Sequence, residues 1–361
     1  MSKTRAAGNP LWTRPEGSSF TGSPSVGRAD GTVDCSILVH GAVWRPQAFA
    51  WAVGLLLVLL SAAARACPGP AWPIDAIAPD VWLARAAEGE ATPDNRGRVA
   101  NLLVVRSQRR VWLLGSGPSP ASARSLACQL RRDLGLEVTD VVAPWARPEL
   151  VLGHRAWPGA RRWAHADVRR AMQAQCAQCV ERLRARLGPT AADLGEGDPV
   201  LLPSRLLTGD HGELGPLRWW RLRRSGDHSV TLWRLRRAPL WVAQGLLWGD
   251  GPPDARDADV AMQADSTDRL LWLAQLDGPA ARWVPEQGGL LDTPAVAAQA
   301  AYWRRLSEAA REAALRGEVE GTPPPPGLAG LVAWETHPRH AMNWQRVMRQ
   351  ITDAMLDNGP R

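Results

Sequence analysis

Beyond residue 66, short strand-like runs alternate with longer segments whose apolar residues have helical spacing, and this alternation leaves few fold classes open. Short apolar or alternating runs are typical of strands, and apolar residues three or four apart indicate helices. The runs predict strands over 81–85, 101–106, 110–114, 137–142, 217–222, 229–235 and 239–243. The spacing predicts helices over 122–133, 169–187, 267–276, 296–316 and 343–356. This order of elements is typical of the α/β class.

An uncharged apolar run over 48–64 follows Arg45 and precedes an Ala-x-Ala sequence that ends at Ala66. A cation, an apolar run and an Ala-x-Ala exit are the parts of a secretory signal peptide. We therefore predict a signal peptide over 47–66 and export of the remainder to the periplasm. The preceding 1–46, rich in Gly, Ser and Pro, is predicted to be disordered, or else translation begins near Val43 and 1–42 is not made. A membrane anchor over 47–64 is the alternative.

The cysteines change meaning if the chain is exported, because thiols can pair in an oxidising compartment. Cys67 directly follows the predicted cleavage site, where lipidation would be a second route to the membrane, although Arg65 is not the small residue that lipoprotein signals prefer. Cys176 and Cys179 share one face of a predicted helix. We interpret them as members of a structural disulfide, with Cys128 as one candidate partner, or as buried thiols. A redox or metal-binding pair is the alternative.

The charge distribution argues against a nucleic-acid partner. The chain carries 43 Lys and Arg against 36 Asp and Glu, a net charge of +7. Its arginines are scattered among acidic residues, with short clusters at 221–224 and 234–237. Nucleic-acid binding needs a basic stripe together with a recognisable motif, and neither is visible in this sequence. A small molecule or a periplasmic protein is the predicted partner instead.

Six segments carry strand and turn patterns in a fixed order. A Gly-containing turn over 94–101 precedes a strand, 111–119 is a strand that ends in Gly-Ser-Gly, and 140–153 begins as an apolar strand and ends at a glycine. The other segments lie at 226–229, 240–247 and 283–288. Their order and spacing resemble the metallo-β-lactamase (MBL) fold superfamily of zinc hydrolases over about 77–316. The resemblance implies an αββα sandwich, in which two mixed sheets lie face to face with helices outside.

The same resemblance implies a zinc site made of His and Asp side chains, yet most of those positions hold other residues. The family's His-x-His pair falls on Trp145 and Arg147, and its Asp-His pair falls on Glu149 and Leu150. The third family histidine is retained as His228. Arg147 brings a fixed positive charge that would repel a dication. Glu149 either pairs with Arg147 in a salt bridge or remains available to a ligand.

Two further family ligands are also replaced. The bridging Asp falls on Gly245 and the last His on Gln287, while the Asp of an earlier strand-ending turn falls on Gly115. A catalytic zinc needs about three protein ligands, whereas His228 and Glu149 are the residual candidates and the family places them in different zinc sites. We predict that the zinc site is lost and that no cofactor takes its place. The seven ligand positions are retained as candidates for lining a pocket.

A shorter pattern lies near the C-terminus. His340, Asn343 and Arg346 form an H-x-x-N-x-x-R sequence, similar to the tail of exported MBL-fold proteins associated with quinoprotein alcohol oxidation. An ordinary helix start, with Asn343 as its N-cap, is the alternative. A Pro-rich run over 322–327 predicts a stiff spacer. We therefore divide the exported part into an MBL-fold domain over 67–321 and a spacer with a C-terminal helix over 322–361.

These observations support a first hypothesis: an exported MBL-fold pseudoenzyme with a binding or accessory role. The alternative is an active MBL-type hydrolase that uses a relocated metal or metal-free chemistry, the latter requiring a nucleophile beside a base. The residues open to this alternative are His154, His228, Glu149 and the cysteines for a metal, and Ser116, Ser119 and Ser229 for a nucleophile. A redox protein built on the Cys-x-x-Cys pair is a third class.

Overall fold

The computed structural model describes residues 66–357. The predicted leader over 1–46 and the predicted signal or anchor segment, apart from Ala66, lie outside this range. Within it, no helix is long and apolar enough to cross a membrane.

The first sheet has seven strands that follow one another in chain order. They are Ile74–Ala78 (β1), Val81–Ala84 (β2), Leu102–Ser107 (β3), Arg110–Leu114 (β4), Asp140–Ala143 (β5), Arg161–His165 (β6) and Arg205–Leu207 (β7). Strands β1 to β4 pair antiparallel, as short turns permit. Strands β4 to β7 pair in parallel, because helical or longer connections return the chain to the same end of the sheet.

The second sheet has five strands in the order β12-β11-β10-β9-β8. They are His211–Leu214 (β8), Leu217–Arg223 (β9), Ser229–Leu235 (β10), Leu240–Val242 (β11) and Arg282–Val284 (β12). The pairs from β8 to β11 are antiparallel, whereas β11 and β12 are parallel. Both sheets are therefore mixed.

Alternating side chains of each sheet enter different parts of the core. In β3, Leu103 and Val105 pack in one apolar cluster with residues of the second sheet such as Trp233. Leu102 and Val104 belong to another cluster, which includes helical residues. This division follows from the period of two along a strand.

Helices cover the outer faces of the two sheets. They are Pro120–Leu134 (α1), Pro148–Val151 (α2), Ala166–Leu187 (α3), Val260–Ala274 (α4), Thr293–Leu315 (α5), Val332–Glu335 (α6) and Pro338–Asp357 (α7). Apolar residues of α1 and α3 pack in one cluster with β3 and β4, and residues of α4 and α5 join the outward side chains of β10 to β12 in that cluster. The predicted α/β class and αββα sandwich are confirmed.

The C-terminal helix α7 packs onto α5 through a third apolar cluster. Trp344, Val347 and Met348 of α7 are buried against Tyr302 and Trp303 of α5. The Pro-rich run before α7 has no regular structure, and the Trp344 indole donates to the carbonyl of Thr322 at 2.7 Å. The predicted helix over 343–356 is present and begins earlier, at Pro338. Asn343 therefore lies inside α7, and the alternative that made it an N-cap is wrong.

Candidate functional site

Several loops at the carboxyl ends of strands surround a cleft of about 170 Å³. The loop after β5 supplies Trp145 and Arg147, and the first turn of α2 supplies Glu149. The turn between β9 and β10 contributes His228, and the loop after β11 contributes Asp254. Helix α3 forms the remaining wall.

Four of the seven predicted pocket residues meet in this cleft: Trp145, Arg147, Glu149 and His228. The segment that carries Trp145, Arg147 and Glu149 is anchored at its beginning. Thr231 of β10 donates to the Pro144 carbonyl from both its amide and its hydroxyl, each at 2.8 Å.

The other three predicted residues, Leu150, Gly245 and Gln287, do not line the cleft, and each has a physical reason. Leu150 is fully buried in the apolar core. Gly245 lies behind Trp145, so close that a Cβ there would stand 3.0 Å from the indole nitrogen. The Gln287 amide donates to the main-chain carbonyl of Val99 at 2.6 Å.

Glu286, which the sequence analysis did not single out, is the fully buried centre of the polar network behind the cleft. Its Oε2 accepts hydrogen bonds from Trp145 Nε1 at 3.1 Å and from the Gly245 amide at 2.8 Å. Its Oε1 lies 3.2 Å from a guanidinium nitrogen of Arg147. A sequence signal existed: Glu286 directly precedes Gln287, the position that the resemblance gives to the family's last histidine, and carries a charge within the apolar 283–288 segment.

Arg147 joins two carboxylates. Its Nε donates to Glu149 at 3.0 Å, the salt bridge that the sequence left open, while its other side faces Glu286. Burial acts to lower the pKa of Arg147, but Glu149 and Glu286 outweigh it and raise that pKa above its ordinary value. Burial raises the pKa of Glu286, and Arg147 offsets only part of that effect. Arg147 is therefore a permanent cation among the family's ligand positions.

A second buried guanidinium, Arg224, supports the opposite side of the network. It donates to the main-chain carbonyls of Gly245, Asp254 and Arg256, the last two at 2.7 and 2.6 Å. Its guanidinium carbon lies 4.8 Å from the centre of the Trp145 ring, a cation–π contact. Burial lowers the pKa of Arg224 to about 10, so it stays charged at neutral pH. Sequence reasoning noted it only as part of an arginine cluster.

His228 is held by the cleft wall itself. The Gln175 amide of α3 donates to its Nε2 at 2.9 Å. Burial lowers the pKa of His228, so the imidazole is neutral at neutral pH. A neutral imidazole is a suitable metal ligand, but its Nε2 is already occupied by Gln175.

The residues at the family positions do not fit a catalytic zinc ion, which needs about three protein ligands. Trp145, Leu150 and Gly245 carry no side-chain ligand, and Arg147 occupies Glu149 and the neighbouring Glu286. Between residues 66 and 357, no group of three His, Cys, Asp or Glu side chains lies close enough to hold a metal ion.

The candidate serine nucleophiles are engaged in structural hydrogen bonds. Ser116 Oγ donates to the Leu150 carbonyl at 3.0 Å, and Ser119 caps α1 by accepting from the Ser122 amide at 3.1 Å. Ser229 Oγ contacts Asp167 at 3.2 Å. Although burial acts to raise the pKa of Asp167, its hydrogen bonds, with Arg221 foremost, leave that pKa lowered, which makes the carboxylate a weak base.

The predicted tail motif lies outside the cleft but supports one of its loops. Asn343 donates to the Pro253 carbonyl at 2.6 Å and accepts from the Ala255 amide at 2.9 Å. His340 Nδ1 lies 3.1 Å from the Tyr302 hydroxyl. Asn343 thus holds the segment that carries Asp254, while His340 contacts α5.

The cysteines pair differently from the prediction. Cys67 and Cys128 form a disulfide with a Cα–Cα distance of 5.5 Å, so Cys128 is not joined to the Cys-x-x-Cys pair. Cys176 and Cys179 are free and buried thiols, which agrees with the buried-thiol interpretation. Cys179 lines the cleft. The spacing of the cysteines in the sequence could not predict this pairing, because the chain between Cys67 and Cys128 includes strands β1 to β4 of the first sheet.

Comparison with known proteins gives no sequence match to a family model or to a curated protein. Solved structures do match. A structure of TMB-1 superposes with a TM-score of 0.51 at 13% identity, covering 66% of this chain and 100% of that one. A crystal structure of DIM-1 metallo-β-lactamase gives a TM-score of 0.50 at 13% identity, covering 65% and 98%. At this identity the likeness establishes the fold alone: the chain has the metallo-β-lactamase fold.

Proposed function

We propose that this chain is an exported pseudoenzyme of the MBL fold, whose cleft binds a small molecule or a periplasmic protein instead of hydrolysing a substrate. The observation that carries the proposal is the contact of Arg147 with Glu149 and Glu286. Arg147 and Glu149 stand at positions that a hydrolase of this fold would give to metal ligands, and Glu286 binds Arg147 from behind the cleft. Arginine cannot lower the pKa of a bound water as a zinc ion does.

The surface of the cleft suggests a polar ligand. Arg182 and Arg256 face it together with Asp254 and Asp257, while Trp145 offers an aromatic surface. Guanidinium groups form paired hydrogen bonds with carboxylates and phosphates, and carboxylates accept from amines and hydroxyls. A ligand that carries both kinds of group would fit this wall better than an apolar one.

The test of lost metal chemistry is elemental analysis of the purified chain, followed by calorimetric titration with zinc chloride. We expect no stoichiometric zinc and no saturable heat. Stoichiometric zinc that disappears in His228→Ala would overturn the proposal and favour the hydrolase. Glu320→Ala, on the exposed surface far along the chain, is the matched control.

Export is part of the proposal and has its own support. A disulfide between Cys67 and Cys128 is typical of an oxidising compartment. With its sulfur in a disulfide, Cys67 has no thiol left for a lipid, so we propose cleavage after Ala66 without lipidation. Mass analysis of the N-terminus of the periplasmic fraction tests this. An intact 47–64 segment in the membrane fraction would refute cleavage.

The narrower assignment, to exported MBL-fold proteins associated with quinoprotein alcohol oxidation, is also a proposal. It rests on His340, Asn343 and Arg346. The contacts of Asn343 and His340 with the 253–255 loop and Tyr302 support a structural purpose for this motif.

A further inference from the structure

Helix α3 contains a dithiol that the proposed binding function does not use. Cys176 and Cys179 are three residues apart, which places both thiols on one helical face. Their side chains are buried, with 1% and 4% of each residue exposed. Cys179 nevertheless lines the cleft, so that a small reagent in the cleft reaches its sulfur first.

The surroundings of Cys179 favour its thiolate. Cys176 donates a hydrogen bond to it, which is the main reason that the pKa of Cys179 is lowered. Arg182, one turn further along α3, places a guanidinium nitrogen 3.6 Å from the same sulfur. The hydrogen bond to Cys179 and burial raise the pKa of Cys176, which keeps its proton. Of the two thiols, Cys179 is therefore the one that ionises more readily.

We propose that Cys176 and Cys179 are a reversible dithiol–disulfide couple, with Cys179 as the sulfur that reacts with small disulfides entering the cleft. The Cys179 thiolate attacks one sulfur of the reagent; its S–S bond breaks, and the leaving thiolate takes up a proton. Cys176 then loses its proton and attacks Cys179 Sγ, which releases the second half of the reagent as a thiolate that is protonated in turn. The reagent is reduced to two thiols, and the dithiol is oxidised to a disulfide.

Helix geometry accounts for reversibility. Side chains three residues apart have Cβ atoms about 5–6 Å apart, whereas a disulfide prefers about 3.5–4.5 Å. The bond therefore tightens one turn of α3, and strained disulfides are the more easily reduced ones. The Cys67–Cys128 disulfide joins separate segments and carries no such demand.

The first experiment incubates the full chain with 2-hydroxyethyl disulfide at neutral pH and maps its peptides by mass spectrometry. We expect a Cys176–Cys179 cross-link that a mild thiol reverses, while the Cys67–Cys128 peptide stays unchanged. The chain is then unfolded and treated with an alkylating reagent. If both cysteines react with that reagent, no disulfide has formed and the proposal is wrong. If the wild-type chain accumulates a stable hydroxyethyl adduct on Cys179, the resolving role of Cys176 is wrong.

Variants test the order of attack. Cys176→Ser should retain the adduct on Cys179, and Cys179→Ser should leave Cys176 unmodified. Equal adduct formation in both variants would contradict the assignment of Cys179 as attacking sulfur. Arg182→Gln should slow the reaction about threefold, since fewer thiolates are only partly offset by their greater nucleophilicity. Arg184→Gln, on the same helix and paired with Glu181, is the matched control and should leave the rate unchanged.

Discussion

At the scale of single residues, Arg147 and Glu286 stabilise the fold as a pair, because Glu286 alone would be an unpaired buried charge. Both are buried, and Glu286 is fully so. Removing one partner of such a pair leaves an uncompensated charge, which typically costs about 3–5 kcal/mol. We expect Arg147→Ala to lower the free energy of unfolding in urea by about this amount, and Arg147→Met with Glu286→Gln to cost less than the sum of the single changes.

Arg186→Ala is the control for that experiment. Arg186 also pairs with a carboxylate, Glu90 at 2.8 Å, but both side chains are more than a third exposed. An exposed pair contributes about 0–1 kcal/mol. If Arg147→Ala costs no more than Arg186→Ala, Arg147 does not hold the cleft together.

His154 predicts a pH dependence. Its imidazole is fully buried, and burial lowers its pKa from 6.5 to about 4. Above pH 6.5 both folded and unfolded states are neutral at this residue. Below it the unfolded state takes up the proton more readily, so the free energy of unfolding falls by about 3 kcal/mol as the pH drops to about 4.

Urea unfolding of His154→Asn across this pH range isolates the effect, because the variant should lose that part of the pH dependence. His211→Asn, at an exposed histidine, should keep it. Identical pH profiles for the parent and His154→Asn would show that His154 does not titrate in this way.

At the scale of elements, the sequence predicted what local pattern determines. The long apolar strands β3, β4 and β10 are where the pattern placed them, and each of the five predicted helices overlaps an observed one, although α4 and α7 begin earlier than predicted. The one-turn helices α2 and α6 were not predicted, because four residues are too few to show a helical spacing. Strands β1, β6, β7, β8 and β12 were not predicted, because they are short or charged. In β6, Arg161 and Trp163 are tolerated because Asp140 of β5 binds both, at 3.0 and 2.8 Å. Such partners come from the neighbouring strand and leave no local signal.

Helix α7 belongs to the same argument, since its side chains hold the cleft loop and Asn343 makes two of the hydrogen bonds to it. Asn343→Ala would leave the Pro253 carbonyl and the Ala255 amide without their partner, and each unsatisfied buried group costs about 1–3 kcal/mol. We expect a loss of about 2–3 kcal/mol and faster amide exchange at residues 254–256. Arg349→Ala, on the exposed face of α7, should change neither, and equal exchange in the two variants would contradict this account.

At the scale of the whole molecule, the resemblance located the positions of the family's zinc ligands but not the contacts that the residues at those positions make. Trp145 and Glu286 are 141 residues apart in sequence, and Arg147 and Glu286 are nearly as distant. Only the closure of the sandwich brings the loops after β5, β11 and β12 together. The sequence shows which residues stand at the family's ligand positions, whereas the polar network around them requires three loops to meet.

The last prediction concerns the contribution of the apolar core, rather than of a metal ion, to stability. Apolar clusters fill the space between the sheets and beneath the helices, and six of the fully buried tryptophans between residues 66 and 357 belong to them: Trp112, Trp233, Trp241, Trp283, Trp303 and Trp344. A zinc ion bound to the folded state at a hundred times its Kd would add about 2.7 kcal/mol. We expect the thermal midpoint to be the same with EDTA and with excess zinc chloride, because the Arg147 network occupies the family positions. A midpoint that zinc raises and EDTA lowers, by several degrees, would show that the fold still carries a metal site and that the polar network yields to it.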